Sequence, residues 1–367
     1  MTIASFAAER QGGQGTLNSP GKFRQRSLAF GLPFLFLACA LIGKDPLPGR
    51  PAHHVEGGFR NPDPAFTRPV GLVRAKYVAA RLWVNLVAPR NFYLPREAND
   101  GQELRENNHD ATVTWVGHST LLIQLDGVNL LTDPHWGSRA GPLSWLGARR
   151  LNAPGVRFED LPPIHLVLIS HDHYDHLDLD TVTRLAETHD PLFVVPLGLK
   201  AWFAENGMSR VQELDWWQAY EHRGLRLVCV PAQHFSGRNF SDTNRRLWAS
   251  WVVAGRSKRL YAGGDSGYFN GFKQIGEALG PFDLAAVPIG AYKPTHLMKS
   301  VHTTPEEGVQ AFMDLRGKTL LGIHWGTFEL AEEPLDEPPW RMREEARRRK
   351  IDLENVWALK RGESRHW

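Results

Sequence analysis

The sequence predicts an α/β protein in which helices cover β-sheets. Strand-like runs come first in hairpins and later alternate with helical patterns, an order that helix-covered sheets accommodate. The 367 residues, 42% hydrophobic and 23% charged, have a globular texture and can bury a sizeable core without disulfides. The two cysteines, Cys39 and Cys229, exclude a disulfide scaffold and a multi-cysteine zinc site. Counts of 43 Lys and Arg against 40 Asp and Glu leave a net charge of +3, too balanced to make nucleic acid an expected partner. There are 16 histidines, and a transition metal held without cysteine needs histidine and carboxylate ligands.

The N-terminal elements come first. Residues 1–27 are polar and rich in Gly, Ser and Gln, and read as a disordered tail. Residues 28–43 carry no charge and follow Lys22, Arg24 and Arg26. The run is short of the ~20 residues that a spanning helix needs, and Pro33 weakens it further. Basic flank plus short apolar core is the pattern of an export signal or anchor. Phe36-Leu-Ala-Cys39 loosely resembles the lipid-attachment box of bacterial lipoproteins; a buried hydrophobic helix is the other reading. The expected location is a membrane, in a bacterial cell envelope, with the cytoplasm as the alternative.

Residues 44–109 form an expected arm. Pro46, Pro48, Pro51, Pro62, Pro64 and Pro69 keep its first part extended. An amphipathic helix follows over 71–88. Arg74, Arg81 and Asn85 share one face, with Val73, Tyr77, Trp83 and Val87 largely opposite. Such a helix lies on a membrane surface or packs on the following domain, and the two are compatible.

From 110 to 367 the texture is that of a folded domain. Strands are expected at 112–116, 120–125 and 128–131, the last pair joined by an Asp126-Gly127 turn. Others are expected at 165–169, 192–195, 225–230, 247–253, 259–262, 283–287 and 319–323, and helices near 180–188, 198–205, 270–279 and 304–314. The basic run Arg341–Lys350, interrupted by Glu344 and Glu345, reads as a solvated helix face.

The decisive segment is His165-Leu-Val-Leu-Ile-Ser170-His171-Asp172-His173-Tyr174-Asp175-His176-Leu177-Asp178. A buried strand ends at Ser170, and a loop then presents three histidines and carboxylates within six residues. Neutral imidazole and carboxylate are the ligands that zinc takes when no thiolate is present. Alternation puts His171 and His173 on one side, and Asp175 and His176 can turn towards a second point.

His-x-His-x-Asp-His after a hydrophobic strand resembles the signature of the metallo-β-lactamase superfamily. A narrower resemblance rests on Thr114-Trp-Val-Gly-His118, Leu131-Thr-Asp-Pro134, the 170–178 segment, Gly263-Gly-Asp-Ser-Gly-Tyr268, Pro288-Ile-Gly-Ala-Tyr292, His302 with Thr303-Thr-Pro-Glu-Glu307, and Ile323-His-Trp-Gly-Thr-Phe328, in that order. Over about residues 60–340 the chain resembles the N-acyl-phosphatidylethanolamine-hydrolysing phospholipase D family and its bacterial relatives. That resemblance implies a four-layer αβ/βα metallo-β-lactamase sandwich, with a hydrolase domain over 110–367 and two Zn²⁺ ions at one edge of the sheets.

Carried over position by position, the resemblance implies His171, His173 and His234 at one zinc ion, and Asp175, His176 and His324 at the other. Asp265 bridges both. Independently of the resemblance, Asp265 and His324 follow runs that read as strands, where sites on αβ sheets collect, and Gly263 and Gly264 permit a sharp approach. Asp133 is expected to orient a ligand histidine, and His118 to support the site. His302 is expected to serve the substrate, as a proton donor to the leaving oxygen or as a phosphate contact. Tyr174 and Tyr292 are candidates to line the cleft. Trp216, Trp217, Phe235, Phe240 and Trp248 are lipid contacts or core.

The implied activity is zinc phosphodiester hydrolysis of a phospholipid. A shared hydroxide attacks phosphorus, and phosphatidic acid and the head-group alcohol leave. Another metal-dependent hydrolase of the same fold, a lactonase or a small-phosphodiester hydrolase, is the alternative. A non-enzymatic metal-binding scaffold is disfavoured because no ligand position is lost. The family resemblance also allows a homodimer.

Overall fold

A computed structural model describes residues 45–63, 66–67, 71–87, 91–239 and 241–367. The expected tail over 1–27, the apolar segment over 28–43 with Cys39, and Phe240 lie outside the described residues.

Two seven-stranded mixed sheets form the molecule's centre. In the first, hairpins join Thr112–Gly117, Thr120–Leu125 and Val128–Thr132, and the parallel strands Leu166–Leu168, Leu192–Pro196 and Val211–Leu214 extend the sheet. In the second, Ala219–His222, Leu225–Val230, Ser250–Ala254 and Arg259–Ala262 run antiparallel, and Phe282–Pro288, Gly317–Ile323 and Val356–Trp357 continue in parallel.

Alternation along each strand of the first sheet splits its side chains between two cores. Leu121, Ile123, Leu166 and Leu168 face the second sheet, against Leu227, Trp251, Leu260 and Leu284. Leu122, Leu131, Val167 and Ile169 turn outward under Val182 and Leu185 of helix Leu179–His189. On the far side, Phe272 and Ile275 of helix Gly271–Leu279 and Val309 and Phe312 of helix Pro305–Asp314 cover the second sheet. The result is the four-layer αβ/βα sandwich of the metallo-β-lactamase fold. Strands buried on both faces read as continuous apolar runs, which is why Leu166–Leu168 and Phe282–Pro288 were legible.

Several elements differ from expectation. The strand expected at 247–253 begins at Ser250, because Leu247 and Ala249 donate their N–H groups to the carbonyls of Leu197 and Ser170 instead. A hairpin over 139–149, strands Val211–Leu214 and Ala219–His222, and the C-terminal strand Ser364–His366 on Thr112–Gly117 were not expected. The arm carries a small hairpin at His54–Phe59. The helix Glu337–Arg348 buries Met342 and Ala346, so only part of its basic run is solvated.

The expected amphipathic helix, α1, spans Leu72–Val87. Its polar side faces the protein. Asn85 is 4% exposed and donates to the carbonyl of Glu329 at 3.1 Å, while Arg81 pairs with the Glu329 carboxylate at 3.1 Å. Tyr77, expected on the opposite side, belongs with these residues and donates to the carbonyl of Lys293 at 3.2 Å. Among the described residues no helix is long and apolar enough to cross a membrane.

Candidate metal centre

Strand ends deliver the site. Ser170-His171 follows Leu166–Leu168, His234 follows Leu225–Val230, Asp265 follows Arg259–Ala262, and His324 follows Gly317–Ile323. Close approach requires glycine at 264, where a Cβ would stand 2.3 Å from the Ala249 carbonyl oxygen and 2.6 Å from the Ser170 Cβ. Asp133, His118 and His324 all have φ between 39° and 62°, a region costly for side-chain-bearing residues and characteristic of functional sites.

Two groups of ligand atoms result. In one, His171 Nε2 lies 2.9 Å from His173 Nδ1, and His234 Nε2 lies 3.2 Å from the same atom. Asp265 Oδ2 is 3.9 Å from His171 Nε2 and 3.8 Å from His234 Nε2. In the other, Asp175 Oδ2 is 3.4 Å from both His176 Nε2 and His324 Nε2. Asp265 reaches this group as well, at 3.2 Å from His176 Nε2 and 3.0 Å from His324 Nε2. All seven residues implied by the resemblance therefore converge; Asp265 stands within 4 Å of histidines of both groups, and His118 falls within ligand range of the second.

Their burial and charge suit divalent cations. His176 Nε2, His324 Nε2 and Asp265 Oδ1 are buried without a hydrogen-bond partner, a costly arrangement that ligation relieves. Burial holds His171, His173 and His234 well below the ordinary imidazole range, leaving neutral lone pairs. Burial also acts on His176 and His324, but the carboxylates of Asp265 and Asp175 outweigh it and raise both, His324 to about 9. Asp175 and Asp265 are held well below the usual carboxylate range, since the surrounding imidazoles outweigh their burial.

Neighbouring groups fix these side chains. Asp133 Oδ2 accepts from His176 Nδ1 at 2.7 Å, and its carboxylate also accepts from the Ser170 backbone N–H at 2.7 Å and the Ser170 hydroxyl at 2.6 Å. The His234 Nδ1–H donates to the Val301 carbonyl at 2.9 Å. His118 Nε2 is 3.0 Å from Asp175 Oδ2, and the His118 carbonyl accepts from the His324 backbone N–H. Asp172 turns away from the metal groups, accepting from Gly237 N–H and pairing with Arg246 at 2.9 Å. Asp178 likewise accepts from the Gly137 N–H at 3.1 Å.

Sequence reasoning missed Arg238, whose guanidinium donates to the carbonyls of Asp172 and Leu177, both at 2.8 Å, and so clamps the histidine loop. Nothing in its local sequence signals that role. It also missed Ser170, although a serine at the end of an apolar strand and beside the ligands was a signal.

The expected substrate residues divide. His302 Nδ1 is buried, unpartnered, and 3.7 Å from Asp265 Oδ2, so it borders the centre and falls within ligand range of it. Tyr174 donates its hydroxyl to the Arg238 carbonyl at 2.8 Å, with the Arg238 guanidinium 4.0 Å over its ring. Tyr292 does not line a cleft: it is 0% exposed, and its hydroxyl donates to Glu337 at 2.8 Å under the Arg341 guanidinium. Of the aromatics, Trp216 and Trp248 are core, Trp217 is exposed, and Phe235 stacks on His234 at 4.6 Å between ring centroids.

Residues 128–325 match a family model described as the beta-lactamase superfamily domain. The chain is 44% identical over 228 residues to an N-acyl-phosphatidylethanolamine-hydrolyzing phospholipase D of Caenorhabditis elegans, covering 59% of this chain and 64% of that protein. It is 47% identical over 235 residues to an uncharacterised protein of Mycobacterium tuberculosis, covering 63% of this chain and 62% of the relative. The match thus spans less than two thirds of these relatives' own length. A metallo hydrolase of Ignicoccus hospitalis superposes with a TM-score of 0.55 at 20% identity, over 71% of this chain and 99% of that one, a likeness of fold.

Proposed function

Because the chain belongs to the β-lactamase superfamily, we propose that it is a metal-dependent hydrolase, and within that class a binuclear zinc phosphodiesterase acting on N-acyl-phosphatidylethanolamine-type phospholipids. The observation that carries this reading is the pair of ligand groups with Asp265 between them, in a chain whose relatives include a phospholipase D of that name. His171, His173 and His234 would hold one ion, Asp175, His176 and His324 the other, and Asp265 both. When bound, the two ions supply an activated water at neutral pH and offset charge on the phosphoryl oxygens.

The chain's own residues orient the ligands and contact the phosphate. Asp133 keeps the proton of His176 on Nδ1, leaving Nε2 free to ligate, and the Val301 carbonyl does the same for His234. Hydrolysis forms an oxygen–phosphorus bond and breaks the phosphorus–oxygen bond to the head group. Phosphatidic acid and an N-acylethanolamine leave, the latter after its oxygen gains a proton. Burial pushes the His302 imidazole down to about 4. At neutral pH it therefore offers an N–H contact to the phosphate, and a donated proton is the less favoured of its two expected roles.

Metal analysis of purified protein, with turnover measured on a panel of phospholipids, lactones and simple phosphodiesters, tests this reading. About two zinc ions per chain and preference for N-acylated phospholipids are expected. Asp265→Ala should lose both ions and all turnover. Full activity of that variant after chelation would overturn the metal assignment, and preference for lactones or small diesters would make the chain another hydrolase of this fold.

A further inference from the structure

The polar side of α1 is consumed by the protein, and its apolar side is turned to solvent. Leu72, Leu82, Trp83 and Leu86 lie on that outer side, and Trp83 is 66% exposed. A water-facing helix normally does the reverse. The inversion is fixed from within: Tyr77, Arg81 and Asn85 satisfy backbone carbonyls and a carboxylate that turning the helix would orphan.

A second element continues the surface. The hairpin over 139–149 abuts α1, where Asn85 Oδ1 accepts the Arg149 N–H at 3.0 Å. It presents Leu143 and Trp145, the latter 62% exposed. Two exposed tryptophans on adjoining elements, with aliphatic neighbours, make an apolar surface of the kind that marks an interaction site.

The inner side of α1 borders the metal centre, so the outer face lies one helix away from it. The Arg74 guanidinium of α1 lies 5.1 Å from the Phe235 ring centroid, and that ring stacks on His234. Glu329, which anchors the inner side of α1, stands five residues after His324 in the chain.

We propose that the outer face of α1 and the tip of the 139–149 hairpin form one docking surface that seats the protein on a phospholipid bilayer with the metal centre beside the interface. This rests on the phospholipid reading above and names the surface that would serve it. Charge decides between a bilayer and a second copy of the chain. Residues 71–87 and 139–150 contain no carboxylate; of their cations Arg81 and Arg150 are bonded inward, to Glu329 and to the carbonyls of His135 and Gly137, and Arg74 turns to Phe235. Lys76 and Arg149 are exposed. In a two-fold dimer this surface would meet itself, cation against cation. Lipid phosphates accept the same cations while the acyl region receives the apolar side chains, and tryptophan favours that boundary.

Site-directed spin labelling of the full chain tests the surface locally, whatever else holds the protein to membrane. Nitroxides are placed singly at Trp83→Cys, Trp145→Cys and, as a control, Glu187→Cys, with Cys39→Ser present throughout; Cys229 is buried. Each protein is mixed with vesicles of phosphatidylethanolamine and phosphatidylglycerol. Collision with dissolved oxygen and with a water-soluble nickel chelate is compared. On vesicles, labels at 83 and 145 should gain oxygen collisions and lose nickel collisions several-fold, and the label at 187 should do neither. Failure to sediment with vesicles, or nickel access at 83 and 145 on sedimented protein, overturns the proposal. So does shielding before vesicles are added: concentration-dependent shielding indicates a second copy, and concentration-independent shielding indicates another segment of the chain. The measurement needs no turnover, so a wild-type protein that docks yet hydrolyses no phospholipid refutes the activity alone.

Discussion

Asp133 Oδ2 lies 2.7 Å from His176 Nδ1, linking the end of one strand to a loop 43 residues further along. The same carboxylate accepts both hydrogen bonds from Ser170, so one buried side chain sets the imidazole's tautomer and the start of the histidine loop. Asp133→Asn keeps the size of the side chain but removes its charge and half of its accepting capacity. Losing such a partner typically costs about 10–100-fold in metal affinity. Titration against a competing chelator should show that loss at the site holding His176, with the far-ultraviolet circular dichroism unchanged. Wild-type affinity for both ions would remove the orienting role.

Metal loading should release protons. In the metal-free protein Asp265 and Asp175 raise His176 and His324 despite their burial, His324 to about 9, so both are protonated at pH 7. Ligation needs the Nε2 lone pairs, so the protons must leave. Apparent affinity should therefore rise with pH from 7 towards about 9 and flatten above the higher of the two transitions. Calorimetric zinc titrations in buffers of different ionisation enthalpy count the released protons. A heat independent of buffer would show that these imidazoles are already neutral.

The seven candidate ligands were named through the family resemblance; what the residues themselves showed was the cluster after the buried strand ending at Ser170, and polar residues following the runs before Asp265 and His324. His171 and Asp265 are polar residues placed where the apolar run stops. Arg238 was not legible: its partners are backbone carbonyls of a distant loop, and a carbonyl leaves no mark in composition. Tyr292 misled for the related reason that its partner, Glu337, sits on a helix 45 residues away. The periodicity of α1 was visible, but its orientation was not, because only Glu329 and Lys293 show which side has polar partners.

His302 is predicted to contact phosphate through a neutral imidazole. Burial lowers it to about 4, which makes the imidazolium scarce at pH 7. A hydrogen bond to a charged group is worth about 1.5–3 kcal/mol, so His302→Ala should lose about 10–100-fold in turnover. The loss should be equal for a natural phospholipid and for a nitrophenyl phosphodiester, and metal content should be unchanged. Sparing of the nitrophenyl substrate would restore the proton-donor role, because an activated leaving group needs little protonation. Loss of metal would make His302 a ligand, which its Nδ1 at 3.7 Å from Asp265 geometrically permits.

The N-terminal arm is fastened by a charge that the sequence did not reveal. His53 Nε2 and His54 Nε2 stand 2.6 and 2.7 Å from the two oxygens of Asp215, and the Trp216 ring lies tilted against His53 with 4.3 Å between ring centroids. From this anchor the chain runs to Asn61, whose side chain donates to the backbone carbonyl of His234 at 2.7 Å. The fastening therefore ends on a candidate ligand. Burial alone would raise Asp215, but the hydrogen bonds from His53 and His54 outweigh it and hold the carboxyl below its ordinary range. A carboxyl lowered by folding stabilises the native state above its unfolded value and loses that contribution as pH falls through the folded one. Asp215→Asn should thus destabilise the protein at pH 7 by about 1–3 kcal/mol, the scale of a buried charged hydrogen bond. The difference from wild type should shrink below about pH 4, as the wild-type carboxyl itself takes a proton. Urea unfolding across that range, with tryptic cleavage of the arm as a local readout, measures both effects. A difference that stays constant down to pH 2 would show that the charge of Asp215 contributes nothing to the fastening.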